Sequence, residues 1–230
     1  MEGVVDEIIV VDSFSTDNTK AICEQYGALV VEKEFLDYSS SKNHGNSLAK
    51  HDYILSIDAD EALSDELKQS ISNLKTKSTE ELVDAYVLNR LTNYCGKWIY
   101  HCGWYPDKKP RLFRKNKAKW VGTIHEELVI ESKEALELDG HLHHYSITSI
   151  EDHVNRINKY SGLSARDFYE KGKRSSTLHI LVKPKVKFLK CYFLKLGILD
   201  GYYGYVISKL SAYETFLRYS KLKFLNDKKS

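Results

Sequence analysis

The stretch Glu7-Ile-Ile-Val-Val-Asp12 decides the fold class. A continuous apolar run of this kind is typical of a strand buried on both faces, as in a parallel sheet. A polar segment follows, in which Thr16 or Asp17 is the predicted cap of a helix that stops at Gly27, and then a second apolar run, Ala28-Leu-Val-Val-Glu32. Strand, helix and strand in this order predict an α/β fold with a right-handed crossover.

The composition is that of a folded globular protein. The 230 residues are 42% hydrophobic and 29% charged, which argues against long disorder and against a multi-span membrane protein. The formal net charge of +2 is too small to indicate nucleic-acid binding, and we expect no nucleic-acid partner. No pair of cysteines has CxxC spacing and the amino terminus has no secretory pattern, so we expect free thiols in a reducing cytoplasm.

Further along the chain, a buried strand, Tyr53-Ile-Leu-Ser-Ile57, runs directly into Asp58-Ala-Asp60-Glu61. Ligands of open α/β sheets bind outside the carboxyl ends of the strands. Two carboxylates at this place can both reach one Mg²⁺ or Mn²⁺ ion and leave positions for phosphate oxygens, so Asp58 and Asp60 are candidate metal ligands. The alternative is a capping role before the next helix, for which Ser64 is the predicted cap and which carries an apolar face formed by Leu67, Ile71 and Leu74.

Three further places carry candidate functional side chains. Asp12, at the end of the first strand, can accept hydrogen bonds from a nucleoside, or else stabilise a turn. In Trp120-Val-Gly-Thr-Ile-His125-Glu126-Glu127, a histidine beside carboxylates can bind metal or phosphate or act as a base, and the alternative is an ordinary surface strand. In His141-Leu-His-His144, one histidine, taken here as His144, is a further candidate metal ligand, although a structural role is commoner for such residues.

The character of the chain changes after residue 147. Residues 148–230 are predicted to be helical and basic, and the segment from Lys183 to Tyr205 combines lysines with apolar side chains such as Phe188 and Tyr192. Charged residues interrupt every long apolar run, which argues against a membrane-spanning helix. Such a segment suits an anionic membrane surface, or else packs on the first domain or on a second subunit. We therefore predict two domains, residues 1–147 and 148–230.

Several segments, taken in order, resemble the motifs of family 2 glycosyltransferases with the GT-A fold: Ile9-Val-Val-Asp12-Ser-Phe-Ser-Thr-Asp17, Ser41-Lys-Asn43 and Asp58-Ala-Asp60-Glu61. Later segments resemble the bacterial branch that adds a glucose to the lipopolysaccharide inner core: Arg111-Leu-Phe-Arg114, Trp120-Val-Gly-Thr-Ile-His125-Glu126 and Leu199-Asp-Gly-Tyr-Tyr-Gly204. The resemblance covers nearly the whole chain. It implies a GT-A-like α/β fold, with a Rossmann-type mixed sheet flanked by helices, and a helical basic C-terminal extension.

The resemblance also implies a reaction. It is an inverting transfer of a hexose, glucose, from a nucleotide-diphospho-sugar such as UDP-glucose to a lipid-linked saccharide acceptor of the lipopolysaccharide core or a related cell-surface glycan. Mg²⁺ or Mn²⁺ is the implied cofactor, and the implied location is peripheral, on the cytoplasmic face of the bacterial inner membrane. By position, Glu126 is the implied base, Glu127 its reserve, and His125 assists at the pyrophosphate or the metal. The remaining implied contacts are Asp12 with the nucleoside, Asp58 and Asp60 as the DXD motif, and Lys42, Asn43, Arg111 and Arg114 with the donor, a phosphate or an anionic acceptor.

One departure from the family pattern concerns its beginning. Family members start with an additional apolar strand in the middle of the sheet, whereas Val4-Val5-Asp6-Glu7 matches the approach to the second strand. Without that strand we expect exposed strand edges, weak donor binding and poor solubility, and tighter binding of UDP by a chain extended upstream. Two alternatives therefore stay open: a shortened, inactive relative that binds a partner or a membrane surface, and a nucleotidyltransferase on a similar sheet.

Overall fold

The computed structural model describes residues 3–122, 126–132 and 134–228. Within them the strands are β1 (Ile9–Asp12), β2 (Leu29–Glu32), β3 (Tyr53–Leu55), β4 (Glu61–Leu63), β5 (Ala85–Tyr94), β6 (Lys97–Ile99), β7 (Asp107–Arg114), β8 (Ala118–Val121), β9 (Glu127–Ile130) and β10 (Ala135–Ile147). The helices are α1 (Thr19–Gln25), α2 (Tyr38–Leu48), α3 (Asp65–Leu74), α4 (Ile150–Glu170), α5 (Thr177–Leu189) and α6 (Gly201–Asp227). A π-helical turn (Lys190–Leu194) and a 3₁₀ turn (Gly197–Asp200) lie between α5 and α6. The predicted α/β class and helical C-terminal region are confirmed, and the four cysteines are free.

The chain divides into two compact units. The first consists of Met1–Asn89 and Lys108–Leu142, and the second of Arg90–Asp107 and His143–Ser230. This division differs from the predicted boundary after residue 147, because the hairpin at residues 90–107 and the end of β10 belong to the second unit. The physical reason is a shared core, in which residues of that hairpin and of β10 are buried with a residue of α6: Tyr94, Ile99, Cys102, Ile147 and Ile207.

In the first unit, β1 and β2 pair in parallel, as the order of strand, helix and strand predicted. Their register runs from Ile9 opposite Leu29 to Asp12 opposite Glu32. A larger sheet has the order β3, β7, β5, β10 and β4, in which β3 and β7 are antiparallel, and β8 pairs with β9. In the described part of the chain β1 pairs with β2 alone and β3 with β7 alone. Each of these two strands therefore has one paired neighbour among the residues that the structure describes.

Helix α3 begins where the sequence predicted. The hydroxyl of Ser64 accepts a hydrogen bond from the backbone N–H of Leu67 at 3.2 Å and so caps the helix. Leu67 and Ile71 are buried, as their spacing along one face predicted. They belong to the main core of the first unit, together with Val4, Leu63, Tyr86, Leu88, Leu112 and Leu142.

The start of α1 differs from the prediction. The residue at the N-cap position is Asn18, and its side chain makes no capping hydrogen bond. Asp17 lies one residue before the N-cap, and its carboxylate accepts a hydrogen bond from the backbone N–H of Thr19 at 3.0 Å. The end of the helix agrees with the prediction, because Gly27 follows it with a φ of +75°, a left-handed conformation that favours glycine.

The second unit is built around α6, on which both α4 and α5 pack. The turn between α5 and α6 is closed by two glycines in backbone contact. A Cβ atom at Gly204 would lie 1.7 Å from the carbonyl oxygen of Gly197, so only glycine fits there. The buried carboxylate of Asp200 fixes the same turn by accepting a hydrogen bond from the backbone N–H of His101 at 2.9 Å. Among the described residues, no helix has the length and hydrophobicity needed to cross a membrane.

A buried histidine makes the second unit sensitive to acid. His153 of α4 is 8% exposed, and its Nδ1 lies 3.0 Å from the hydroxyl of Tyr94. Burial lowers the pKa of His153 from 6.5 to about 4. Between these two values the unfolded chain binds a proton that the folded protein does not. The stability linked to His153 is therefore complete above pH 6.5 and is lost as the pH falls toward 4.

As the pH falls from about 7 to about 5, we expect protonation of His153 in the unfolded chain to lower the free energy of unfolding by about 2 kcal/mol. Urea denaturation at a series of pH values measures the change. The variant His153→Gln keeps a hydrogen-bonding group that does not titrate, so its stability should depend less steeply on pH over this range. An equally steep dependence in the variant would show that other groups cause it.

Candidate active site

Asp58 and Asp60 lie on a tight turn between β3 and β4. The backbone N–H of Glu61 donates a hydrogen bond to the carbonyl oxygen of Asp58 at 3.0 Å, which closes the turn. The Glu61 side chain folds back and accepts a hydrogen bond from the backbone N–H of Asp58 at 2.9 Å. Asp58 is half-buried and Asp60 is exposed. The two predicted metal ligands therefore differ in exposure, since Asp58 is partly covered by the protein and Asp60 is the more accessible.

Arg111 of β7 holds this turn from the inside. Its Nη2 donates hydrogen bonds to Oδ2 of Asp58 at 2.8 Å and to Oε1 of Glu61 at 3.1 Å. The side chains of Arg111 and Glu61 are 6% and 0% exposed, so this is a buried ion pair. From the sequence, Arg111 was a candidate for binding a phosphate or an anionic acceptor. In the structure, two carboxylates of the protein already contact its guanidinium group.

Lys42 of α2 connects the turn to Glu126. Its Nζ lies 2.8 Å from Oδ1 of Asp58, 3.4 Å from Oε1 of Glu126 and 4.4 Å from the ring centroid of Trp120. The neighbouring Asn43 donates a hydrogen bond to the carbonyl oxygen of Trp120 at 2.8 Å and accepts one from its N–H at 3.1 Å. These two bonds fix α2 to β8, and so they hold Lys42 between the two carboxylates.

The charged side chains of Arg111 and Lys42 keep Asp58 ionised. Burial alone would raise the pKa of Asp58, but the charges and hydrogen bonds of Arg111 and Lys42 outweigh it and hold that pKa below its usual range. Because the folded-state pKa is lowered, the resulting stabilisation is present above the ordinary pKa of an aspartate. It is lost as the pH falls through the lowered value. Asp58 is therefore charged throughout the neutral range.

The turn fits a divalent cation that prefers oxygen ligands. Mg²⁺ is usually held by one or two carboxylates together with phosphate oxygens of a substrate, and carboxylates also suit Mn²⁺. Asp60 is exposed, whereas both oxygens of Asp58 contact cationic side chains. Asp60 is therefore the more exposed of the two carboxylates that could hold an ion. Within the described ranges, no three His, Cys, Asp or Glu side chains are placed to hold an ion by themselves.

The carboxylate of Asp12 forms its hydrogen bonds within its own loop. It is 5% exposed, and it accepts hydrogen bonds from the backbone N–H of Ser15 at 2.8 Å and from the Ser15 hydroxyl at 2.5 Å. These bonds lower the pKa of Asp12. The contacts are those of the turn-stabilising role considered from the sequence, and the nucleoside contact stays a prediction.

Arg114 lies on the opposite face of β7 from Arg111, because the two residues are separated by an odd number of positions. Its Nη2 donates a hydrogen bond to the hydroxyl of Tyr53 at 3.1 Å, and its Nε lies 3.3 Å from Oδ1 of Asp84. The side chains of Arg111 and Arg114 therefore have different partners on the two faces of β7.

The remaining candidates are placed as follows. Glu127 is exposed at the start of β9. His144 belongs to the second unit, where its Nδ1 lies 3.3 Å from the hydroxyl of Thr92. His125 lies outside the described residues. The structure brings six of the predicted site residues together, either in one network of contacts or on the turn that belongs to it. They are Lys42, Asn43, Asp58, Asp60, Arg111 and Glu126.

Two residues of this network had no assigned role from the sequence. Glu61 directly follows the acidic pair, but its partner Arg111 is 50 residues away, and no local pattern connects them. Trp120 opens a quoted motif, yet only the structure shows that its ring contacts both Lys42 and Arg111. Cation–π contacts of this kind depend on how distant strands and helices pack, which a single sequence does not reveal.

Comparison with known proteins agrees with this geometry. The family model described as Glycosyl transferase family 2 matches residues 3–148, which include α2, the turn after β3, β7 and β8. The match covers more than half of the chain. The chain therefore belongs to glycosyl transferase family 2, as its motifs predicted, and is a transferase.

Individual relatives agree with this assignment. An uncharacterized glycosyltransferase of Rickettsia prowazekii (strain Madrid E) is 34% identical over 98% of this chain and 80% of its own length. The lipopolysaccharide core biosynthesis glycosyltransferase LpsC of Rhizobium meliloti (strain 1021) is 26% identical over 94% of this chain and 82% of its own length. The SPbeta prophage-derived glycosyltransferase SunS of Bacillus subtilis (strain 168) is 34% identical, over 53% of this chain.

Proposed function

We propose that this glycosyltransferase transfers a hexose, glucose, with inversion from UDP-glucose to a saccharide acceptor of the lipopolysaccharide core or a related cell-surface glycan. Family membership supports the general reaction, and the name of the relative LpsC supports this class of acceptor. The observation that carries the proposal is the turn on which Asp60 is exposed beside the ion-paired Asp58, with Glu126 linked to it through Lys42.

Asp60, together with Asp58, would hold Mg²⁺ or Mn²⁺ in this proposal. A bound divalent cation supplies Lewis-acid neutralisation of the departing nucleoside diphosphate. The protein's own contribution is to keep Asp58 charged through Arg111 and Lys42, and to fix the turn through Glu61. A turn of fixed shape presents Asp60 in one geometry, which lowers the cost of binding.

Glu126 is the proposed base. Inverting transfer in one displacement needs a group that accepts the proton of the attacking hydroxyl. The Glu126 side chain is 28% exposed and lies 3.4 Å from Nζ of Lys42. It therefore combines access to a substrate with a fixed position relative to the Asp58 turn.

The variant Glu126→Gln is expected to lower kcat about a hundredfold, because the amide cannot accept the proton. Binding of UDP with Mn²⁺, measured by calorimetry, should be unchanged. Glu127→Gln is the matched control at the neighbouring position and should keep its activity. Full activity of Glu126→Gln, or an equal fall in both variants, would contradict the assignment of Glu126 as the base.

Incubation of the protein with UDP-glucose and Mn²⁺, with and without a truncated lipopolysaccharide acceptor, tests the reaction itself. We expect release of UDP to depend on the metal and to rise with the acceptor, and NMR of the product shows whether the anomeric configuration inverts. If the protein neither binds UDP nor turns over any hexose donor, the proposal fails in favour of an inactive binding protein.

We further propose that the protein works as a peripheral protein on the cytoplasmic face of a bacterial inner membrane. A lipid-linked acceptor is presented at such a surface. The support in this chain is a combination of exposed apolar side chains and lysines in the second unit, among them Leu181, Leu189 and Lys187.

A further inference from the structure

Helix α5 and the π-helical turn that follows it carry two apolar faces. The inner face consists of Ile180, Pro184, Phe188 and Tyr192, which are half-buried. The rings of Phe188 and Tyr192 stack at 5.4 Å, and they lie 6.0 and 5.9 Å from the ring of Tyr205 in α6. Phe188 and Tyr192, which the sequence assigned to a possible membrane-binding segment, therefore pack inside the second unit.

The outer face of α5 points away from these contacts. Its members repeat after three, one, four, three and four residues, which places them on one side of a helix. Their exposed fractions range from 43% to 67%. An exposed apolar stripe of this length marks a binding surface. The outer face consists of Leu178, Leu181, Val182, Val186, Leu189 and Phe193.

Lysines accompany the outer face. Lys183, Lys187 and Lys190 recur at helical spacing and are all exposed, as is Lys185. The sequence contains no aspartate or glutamate between residues 171 and 199. This surface is therefore apolar and positively charged at once, which is complementary to anionic headgroups above acyl chains.

We propose that α5 lies in the plane of an anionic bilayer surface, with its outer face among the acyl chains and Lys183, Lys187 and Lys190 at the level of the phosphates. The inference rests on the proposed peripheral membrane association and gives that association a surface. A second copy of the chain is a poorer occupant, because a symmetric contact across α5 would bring two rows of lysines together without carboxylates from α5 to neutralise them.

The two turns after α5 and the first turn of α6 carry further exposed apolar side chains. Leu194, Leu199 and Tyr202 are 77%, 65% and 67% exposed. Tyrosine suits the boundary between headgroups and acyl chains, because one end of its side chain is apolar and the other can hydrogen-bond to water. The exposed apolar positions therefore continue along the chain from Leu178 to Tyr202.

Flotation of the full chain with vesicles tests the outer face. We expect the parent protein to float with vesicles of phosphatidylglycerol and phosphatidylethanolamine, and less with phosphatidylcholine vesicles. Leu181→Gln and Leu189→Gln should each weaken binding about tenfold, because a leucine side chain then no longer leaves water. Leu163→Gln on α4 changes another exposed leucine and should bind like the parent. Glutamine is a good helix former, so all three variants should keep the parent's unfolding temperature.

The lysines are tested separately by replacing Lys183, Lys187 and Lys190 together with glutamine. This triple variant should lose the preference for anionic vesicles and the dependence of binding on salt. The leucine variants should bind more weakly at low and high salt alike. If the triple variant keeps the parent's preference for anionic vesicles, the lysines do not lie at the headgroups and the inference is overturned.

Three outcomes decide the rest. If Leu181→Gln and Leu189→Gln float like the parent, the outer face is not the membrane surface, although the membrane association itself stands. If the parent does not float, the proposed membrane association and the proposed role of the outer face are both wrong. If the parent is a dimer by light scattering and the leucine variants are monomers that float unchanged, a second copy covers the outer face and the inference is overturned. UDP release measured without lipid should be equal in all variants, so it tests the proposed transfer independently.

Discussion

The variant Asp60→Asn should keep its fold and lose about a thousandfold in kcat/KM, which is the loss expected when several kcal/mol of charge stabilisation at the leaving group disappear. Asp60 is exposed on the turn between β3 and β4, so its replacement disturbs no buried contact that Arg111 or Lys42 makes with Asp58. Binding of Mn²⁺ in the presence of UDP, followed by electron paramagnetic resonance, should weaken in parallel with activity.

Two comparisons make this result specific. Asp58→Asn should lower both activity and the unfolding temperature, because Lys42 and Arg111 lose a charged acceptor. Asp65→Asn removes a carboxylate that is 97% exposed at the start of α3 and should leave turnover unchanged. If Asp60→Asn is as active as the parent and binds Mn²⁺ with UDP equally well, Asp60 is not a metal ligand.

The variant Arg111→Met should lose about 3–5 kcal/mol in free energy of unfolding, the usual cost of removing one partner of a buried ion pair. Glu61 is fully buried, and without Arg111 its charge has lost this partner inside the protein. For a chain of this size the loss corresponds to a fall of about 10 °C in Tm. Differential scanning calorimetry and urea denaturation measure the two quantities.

Arg114→Met on the same strand is the control for this prediction. Arg114 is 23% exposed, pairs with the partly exposed Asp84 and donates a hydrogen bond to the Tyr53 hydroxyl, so its loss should cost less than that of Arg111, about 1–2 kcal/mol. The double variant Arg111→Met with Glu61→Gln should recover most of the stability, since no buried charge then lacks this partner. Equal destabilisation by the two arginine variants, or no recovery in the double variant, would show that the buried pair is not the cause.

The parts of the fold that follow from local patterns were predictable. The run of Ile and Val identified β1 as a strand, and its pairing with β2 followed from the helix between them. Its apolar side chains are half-buried, however, and not buried on both faces as the sequence predicted. Ser64, Leu67 and Ile71 marked the start and the buried face of α3 because capping and helical spacing act within a few residues. The division into units was not predictable, because it depends on which distant residues share a core.

The candidate site divides in the same way. The turn that carries Asp58 and Asp60 could be predicted because a short acidic segment follows an apolar strand, and both features are local; the role of the two residues as metal ligands stays a prediction. The environment of Arg111 could not be predicted, because its two acceptors, Asp58 and Glu61, are 53 and 50 residues away along the chain. A sequence shows that an arginine is present, but only the packing decides whether it meets a ligand or a buried carboxylate of the same chain.

Helix α5 illustrates a different difficulty. Apolar residues occur on two of its faces, and periodicity alone cannot show which of them contacts the rest of the protein. The rings of Phe188 and Tyr192 pack against Tyr205, and this contact leaves the opposite side to solvent. The face that is available to a partner thus follows from the position of α6.

The contact between Gly197 and Gly204 bears on how α5 and the start of α6 would bind a lipid surface. A backbone carbonyl fills the space of a missing methyl group at Gly204, so the two segments are interlocked before any encounter. A peptide that becomes helical only on arrival must give up its conformational freedom at that moment, which weakens its adhesion. Here that entropy is already lost during folding, so α5 and the start of α6 would reach the surface in their final conformation.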